Sequence, residues 1–249
     1  MTRTIDIPKH LIFTGDVPPE AADVVLADLE VAASADTLPE WKKKRIGKIT
    51  ASEFHNVKKL KTTGEWGETA LSYLYDIVGE HLTGEPSESF GGNKATDWGS
   101  LYERDALDEY RRRTRRKVQP AEFCQHPALP WVGGTPDAFC GSEGVLEVKC
   151  PLNFKNHLRT VITKRVPTEY QDQVLGHLWL SGRQYCNFIS YDPRIKGPHS
   201  LAIVRIDRKE HEHAIALLAE RITEFHTLLL NQLAALKVKP GKMIQVCSK

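Results

Sequence analysis

The chain has 249 residues, of which 41% are hydrophobic and 27% charged, with a formal net charge of +2. That is enough for one sizeable domain with a real core. It holds no run of the roughly 18 apolar residues a membrane helix needs, and its N-terminus lacks a basic-then-apolar secretory signal, so a soluble intracellular protein is expected.

Residues 1–18 read as an irregular arm ending at Pro18 and Pro19. Ala21 to Ala33 carries helical apolar spacing (Val24, Val25, Leu29) on an acidic background. Asp16 to Glu40 holds seven acidic residues and no Lys or Arg, whereas Trp41 to Lys61 holds eight Lys/Arg and one Glu. Thr50 or Ser52 is positioned to cap a short helix running toward Lys59, and Lys61 to Gly67 is a polar loop. Glu68 to Leu82 predicts an amphipathic helix stopped at Gly84. The Gly-, Ser- and Pro-containing stretch 85–93 reads as a flexible loop. Trp98 to Arg113 is expected to be helical, with Leu101, Ala106, Leu107 and Tyr110 as its apolar stripe.

Beyond it the texture changes to short strands at Lys117–Cys124, Gly134–Cys140 and Val145–Cys150. Thr168 and Gln171 resemble a capping box after Pro167, opening a helix that Gly182 ends. Tyr185–Tyr191 and Ser200–Ile206 read as further strands, and Glu210–Leu236 as a long helix. The expected fold is α/β, a central mixed β-sheet flanked by helices. Its divisions are an arm and acidic helix over 1–40, one domain over 41–236 and a basic tail over 237–249. The cysteines are odd in number (five) and none lies in a C-x-x-C spacing, which speaks against a disulfide framework, a zinc site or an iron–sulfur cluster. Six of the seven residues Arg111–Lys117 are basic. Such a run can neutralise a phosphate backbone or meet another subunit, but by charge alone a solvated helix face is the favoured reading.

The chemistry concentrates in Pro136-Asp137 and Glu147-Val148-Lys149. The turn Gly141-Ser142-Glu143-Gly144 makes the two segments a hairpin. Glu147 and Lys149 are two apart on a strand and share a face, with Val145, while Leu146 and Val148 face the core. Asp137 on the partner strand reaches the same spot. Two carboxylates suit a hard divalent cation such as magnesium, which serves phosphodiester hydrolysis. Lys149 can orient the attacking water or help deprotonate it at a lowered pKa, or supply charge to the transition state. Alternating Glu and Lys on a strand also marks a solvent-facing edge. Glu103 on the preceding helix is a possible third carboxylate, or a plain surface residue.

These residues, together with Arg45-Ile46-Gly47-Lys48-Ile49-Thr50-Ala51-Ser52-Glu53, Trp98-Gly99, Tyr102-Glu103, Gln173-Val174 and Tyr191-Asp192-Pro193-Arg194, resemble the phage lambda exonuclease family. That family comprises YqaJ-type viral recombinase nucleases of the PD-(D/E)xK superfamily, and the match spans about residues 41–236. The resemblance implies a PD-(D/E)xK restriction-endonuclease-like core and a 5′→3′ exonuclease on linear double-stranded DNA. Such an enzyme releases 5′-mononucleotides and leaves a 3′ single-stranded overhang for recombination by strand annealing. It also implies a ring-shaped homotrimer, a single-strand annealing partner, the bacterial host cytoplasm, and Mg2+, two ions per active site with Mn2+ as a substitute. By residue, Asp137, Glu147 and the Val148 carbonyl would be metal ligands, Lys149 the catalytic lysine and Glu103 the helix acid. Arg45, Ser52, Thr135 and Gln173 would hold the terminal 5′ phosphate. The acidic segment before Trp41, the loop Lys58–Gly67 and the region Phe90–Thr96 depart from the family pattern. A non-catalytic DNA-end-binding module and a site-specific endonuclease on the same fold are the competing readings.

Overall fold

The computed structural model describes residues 40–87 and 94–238. The expected arm and acidic helix, residues 88–93 of the expected loop and the tail beyond Val238 lie outside the described residues. In chain order the elements are α1 (Glu40–Lys43), β1 (Ile49–Thr50), a 3-10 turn (Ala51–Glu53), α2 (Glu68–Thr83), α3 (Lys94–Thr114), β2 (Val118–Pro120), β3 (Cys124–His126) and β4 (Leu129–Gly134). There follow β5 (Ala138–Cys140), β6 (Gly144–Lys149), α4 (Phe154–Thr163), α5 (Thr168–Ser181), β7 (Tyr185–Tyr191), a second 3-10 turn (Gly197–Ser200), β8 (Leu201–Asp207) and α6 (Arg208–Ala235).

The strands form two sheets. One has five strands in the order β2-β5-β6-β7-β8, the other three in the order β1-β4-β3. Within the larger sheet only β6 and β7 run parallel. A parallel pair needs a long crossover, and α4 and α5 supply it. The sequence reading missed α4. Helix α3 covers one face of the large sheet, packing Ala106 and Tyr110 on Leu146, Val148 and Ile189. On the other face, Val145 and Phe188 pack with Val174 and Leu178 of α5 and Ile215 of α6. A further cluster joins Ile49 and Val132 of the small sheet to Leu74 and Ile77 of α2 and to α6. Helix α6 buries Ile215, Leu218, Ile222, Phe225, Leu229 and Leu233, a three-and-four spacing that keeps one stripe inward over its length.

The strand expected at Gly134–Cys140 is broken. Gly134 ends β4 in the small sheet, Ala138 begins β5 in the large one, and Thr135-Pro136-Asp137 bridges them. Pro136 has no N–H for a ladder, which fits a break there. Likewise Lys117–Cys124 divides: Val118–Pro120 pairs with β5, and Cys124–His126 pairs with β4. The expected helix from Thr50 toward Lys59 is only the 3-10 turn at 51–53. Ile49 and Thr50 instead pair in parallel with Val132 and Gly133, and neither hydroxyl caps that turn, since Thr50 makes no side-chain cap bond and Ser52 engages Arg45. The capping box also fails. Thr168 already lies within α5, whose N-cap is Pro167 with no side-chain bond, and Gln171 donates to the Val166 carbonyl at 3.2 Å. Of the expected α3 stripe, Leu101 is exposed.

Close packing around the 3-10 turn needs glycine at two places, one on α5 and one at the end of β4. A Cβ on Gly176 would lie 2.6 Å from the Phe54 ring, and one on Gly134 2.7 Å from the Ala51 Cβ. Gly176→Ala is expected to cost about 1–3 kcal/mol, read as a lower urea midpoint with unchanged slope.

Candidate active site

Strand β6 is central in its sheet, so Glu147 and Lys149 do not mark a solvent-facing edge. Glu147 is 1% exposed. Its Oε1 pairs with Lys149 Nζ at 2.7 Å and its Oε2 with His177 Nε2 of α5 at 2.8 Å. Lys149 Nζ also lies 5.0 Å from the Tyr170 ring centroid. Asp137 stands just before β5. Its N–H donates to the Leu146 carbonyl at 3.2 Å, and its Oδ2 accepts the Val148 N–H at 2.5 Å. The register pairs Ala138 with Leu146, and continued by two residues it sets Pro136 opposite Val148. Proline has no N–H to offer the Val148 carbonyl, so the ladder leaves that oxygen for another partner.

A cleft of about 650 Å³ opens on this group, walled by Glu103, Asp137, Val148, Lys149, Asn153 and Tyr170. Glu147 sits behind it. The charges are unbalanced there. Burial, and after it Glu147, pushes the Asp137 carboxyl well above its ordinary value. Burial and Glu147 also raise Glu103. Burial works against ionising Glu147 too, but Lys149 and His177 hold it at about 2. For Lys149, burial is outweighed by Glu147 and Asp137, which raise it above the usual lysine range. The lowered Lys149 expected from sequence is therefore not found in the chain by itself, because its nearest neighbours are anionic.

Among the described residues no cluster of three or more His, Cys, Asp or Glu side chains is drawn together tightly enough to hold a metal ion unaided. The donor set nevertheless suits a hard divalent cation. Glu103, Asp137 and Glu147 are gathered about the single Lys149 ammonium, burial raises the first two, and Val148 is among the cleft walls.

The other expected site residues fall into two groups. Arg45 donates to Ser52 Oγ at 2.9 Å and to Thr50 Oγ1 at 3.3 Å, beside a small cavity also lined by Tyr73 and Glu80. Thr135 is next to Asp137 at the sheet junction, with its Oγ1 buried and without a hydrogen-bond partner. Gln173 is buried on α5. The turn bearing Ser52, the junction bearing Thr135 and the helix bearing Gln173 meet through Ala51, Gly134 and Gly176. No direct bond joins Arg45 or Ser52 to Thr135 or Gln173, and none of the four walls the cleft.

His177 was missed by the sequence reading. The available signal was spacing: Tyr170, Gln173 and His177 recur at three and four residues, one face of α5. The basic run on α3 is largely spent internally. Arg111 pairs with Asp108 and Arg112 with Glu109. Arg113 bonds Glu109, the Ser200 hydroxyl and the carbonyls of Gly197, Pro198 and Leu201. Arg116 donates to the Tyr185 hydroxyl. Most of it ties α3 to itself and to the sheet.

Residues 40–184 match the family model for a YqaJ-like viral recombinase domain. The chain belongs to that family. Among solved structures it resembles an alkaline exonuclease (LHK-Exo) from Laribacter hongkongensis, at 29% identity and a TM-score of 0.72, over 80% of this chain and 95% of that one. The same protein in complex with dAMP matches equally. A phage related exonuclease from Haemophilus somnus 129PT shares the fold at 17% identity and a TM-score of 0.57, over 75% of this chain and 96% of that one. No curated protein matches. The mixed α/β fold expected from sequence is thus the fold of this family's nucleases. No described helix is long and apolar enough to cross a membrane.

The charge imbalance has a measurable consequence. A carboxyl whose folded pKa is raised costs stability once ionised. Without divalent cations the fold therefore loses stability as pH rises from Asp137's ordinary 3.8 through its raised value. Glu147 acts in the opposite sense: its contribution is complete above 4.5 and is lost as pH falls toward about 2. Asp137→Asn keeps an oxygen for the Val148 N–H and removes the charge. In EDTA at pH 8 it is expected to melt a few degrees above the parent. The gap should close as pH is lowered toward 4, and a variant that melts lower at pH 8 would contradict the reading.

Proposed function

We propose that the protein is a metal-dependent 5′→3′ exonuclease on linear double-stranded DNA that releases 5′-mononucleotides and leaves a 3′ overhang for recombination by strand annealing. The observation that carries this is the convergence of Glu103, Asp137 and Lys149 on one cleft, with Glu147 paired to Lys149 behind it. The relative of 29% identity supports it, being named an exonuclease and solved with a mononucleotide.

In this reading Asp137, Glu147 and the Val148 carbonyl would hold Mg2+, two ions per site with Mn2+ as substitute, and Glu103 would complete the acidic wall. The cation supplies Lewis-acid polarisation of the scissile phosphate and of the attacking water. Asp137 Oδ2 is occupied by the Val148 N–H, so Oδ1 is the oxygen it would offer to a cation. Lys149, kept charged by Glu147 and Asp137, orients the water and stabilises negative charge gathering on the phosphoryl oxygens. Arg45 grips a terminal 5′ phosphate, with the Ser52 and Thr135 hydroxyls and the Gln173 amide completing the cradle. The unpartnered Thr135 hydroxyl favours this, since a buried polar atom without a partner is costly unless a ligand meets it. An end phosphate also favours an exonuclease over an internal cutter, and the intact acid–lysine set favours an enzyme over a binding module. The ring-shaped homotrimer, the annealing protein partner and the host cytoplasm belong to the same proposal, as does the single domain over 41–236.

Lys149→Ala is expected to abolish cleavage while duplex binding in calcium stays within a few-fold. Digestion at the parental rate would remove Lys149 from the chemistry. The parent should prefer 5′-phosphorylated over 5′-hydroxyl ends. Arg45→Ala should lose that preference, with a drop of roughly 10- to 100-fold on phosphorylated ends. Equal rates on both ends in the parent would discard the phosphate cradle.

A further inference from the structure

We infer that His177 is a positioning residue for the metal site, fixing the Glu147 carboxylate so that its second oxygen is held toward Lys149, as a metal ligand at this position would need to be. The inference rests on the metal-dependent reading above. His177 is 1% exposed, and its Nε2 lies 2.8 Å from Glu147 Oε2. Its other ring nitrogen, Nδ1, is buried and has no hydrogen-bond partner among the described residues. That asymmetry assigns the tautomer. A hydrogen on Nδ1 would have no acceptor and would turn the Nε2 lone pair toward a carboxylate. A hydrogen on Nε2 donates to Glu147 and leaves only an acceptor lone pair unused. In either form that carries a hydrogen on Nε2, the ring donates it to Glu147.

The ring has little room to do anything else. A Cβ on Gly134 would lie 3.4 Å from His177 Cε1, so the sheet junction closes against one side. The end of α5 is pinned as well: the Ser181 hydroxyl donates to the His177 carbonyl at 2.6 Å, and the Arg208 guanidinium donates to the Leu178 carbonyl. A carboxylate side chain on a strand otherwise rotates about its terminal torsion. With Oε2 held, Oε1 has one direction, toward Lys149 Nζ. Gln173, one turn earlier on the same face of α5, belongs to the proposed phosphate cradle. One helix face thus carries both the residue that aims a metal ligand and a residue that meets the DNA end.

The test is calcium binding to the DNA-free, full-length protein by calorimetry, alongside steady-state digestion of 5′-phosphorylated duplex in magnesium. His177→Ala is expected to weaken calcium binding by roughly 10- to 100-fold, to lower kcat in parallel, and to leave KM for DNA ends within about twofold of the parent. His177→Gln, whose amide N–H reaches about as far as Nε2, should recover most of the binding. His177→Asn, too short to reach, should not. If the alanine variant does not fold, the Gln–Asn pair decides. Calcium binding unchanged in His177→Ala, or Gln no better than Asn at equal melting temperature, would overturn the inference alone. A parent that binds no calcium would overturn it together with the metal site. Normal calcium binding in a parent that does not attack DNA ends would refute the exonuclease reading and leave the role of His177 to the variants.

Discussion

Glu147 is an ionised carboxylate with almost no contact with water, and the rest of the site is arranged around that fact. Burying an unpaired charge costs several kcal/mol, so each oxygen needs a partner. Lys149 supplies one from two residues along β6, and His177 supplies the other from α5. The first partner requires only strand periodicity. The second requires α5 to lie against the sheet junction, which the missing side chains at Gly176 and Gly134 permit. Satisfying one carboxylate leaves Asp137 and Glu103 short of positive charge, and burial first, with Glu147 after it, raises the pKa of both. A divalent cation is the natural complement of that deficit.

The second organising feature is the passage of the chain from one sheet to the other. Gly134 ends β4 and Ala138 begins β5, so Thr135, Pro136 and Asp137 lie where both sheets and α5 meet. Pro136 leaves the Val148 carbonyl without a ladder partner, and Asp137 takes the Val148 N–H with its side chain. A continuous strand would pair those groups and close the position. The break therefore creates an acidic, carbonyl-lined corner beside the 3-10 turn that carries Ser52.

Much of this was legible before the structure. The helix at 68–83 follows from its amphipathic spacing, those at 68–83 and 168–181 stop at the expected glycines, and Gly84 and Gly182 do cap with positive φ. The two-residue offset of Glu147 and Lys149 was enough to place them on one face. What the sequence hid was mainly long-range. Ser52 reads as a helix cap because its locality allows it, yet its hydroxyl is taken by Arg45. Gly134–Cys140 reads as one strand because nothing local announces a change of sheet. His177 reads as one more polar residue on a helix until β6 is brought beneath it. The basic run 111–117 left a phosphate contact, a subunit contact and a solvated face open, and its partners within the chain are Asp108, Glu109, Tyr185 and loop carbonyls.

The central claim is that this acid–lysine site works from a free 5′ end of duplex DNA. It is tested most directly by incubating the full-length protein with magnesium and two forms of one plasmid: closed circular, and linearised with 5′ phosphates and a separate label at each strand terminus. The account expects the circle to stay intact, the linear form to release 5′-end label first as mononucleotide, and the 3′-end label to remain on long single strands. Cutting of the closed circle, or release of the 3′ label first, would contradict it.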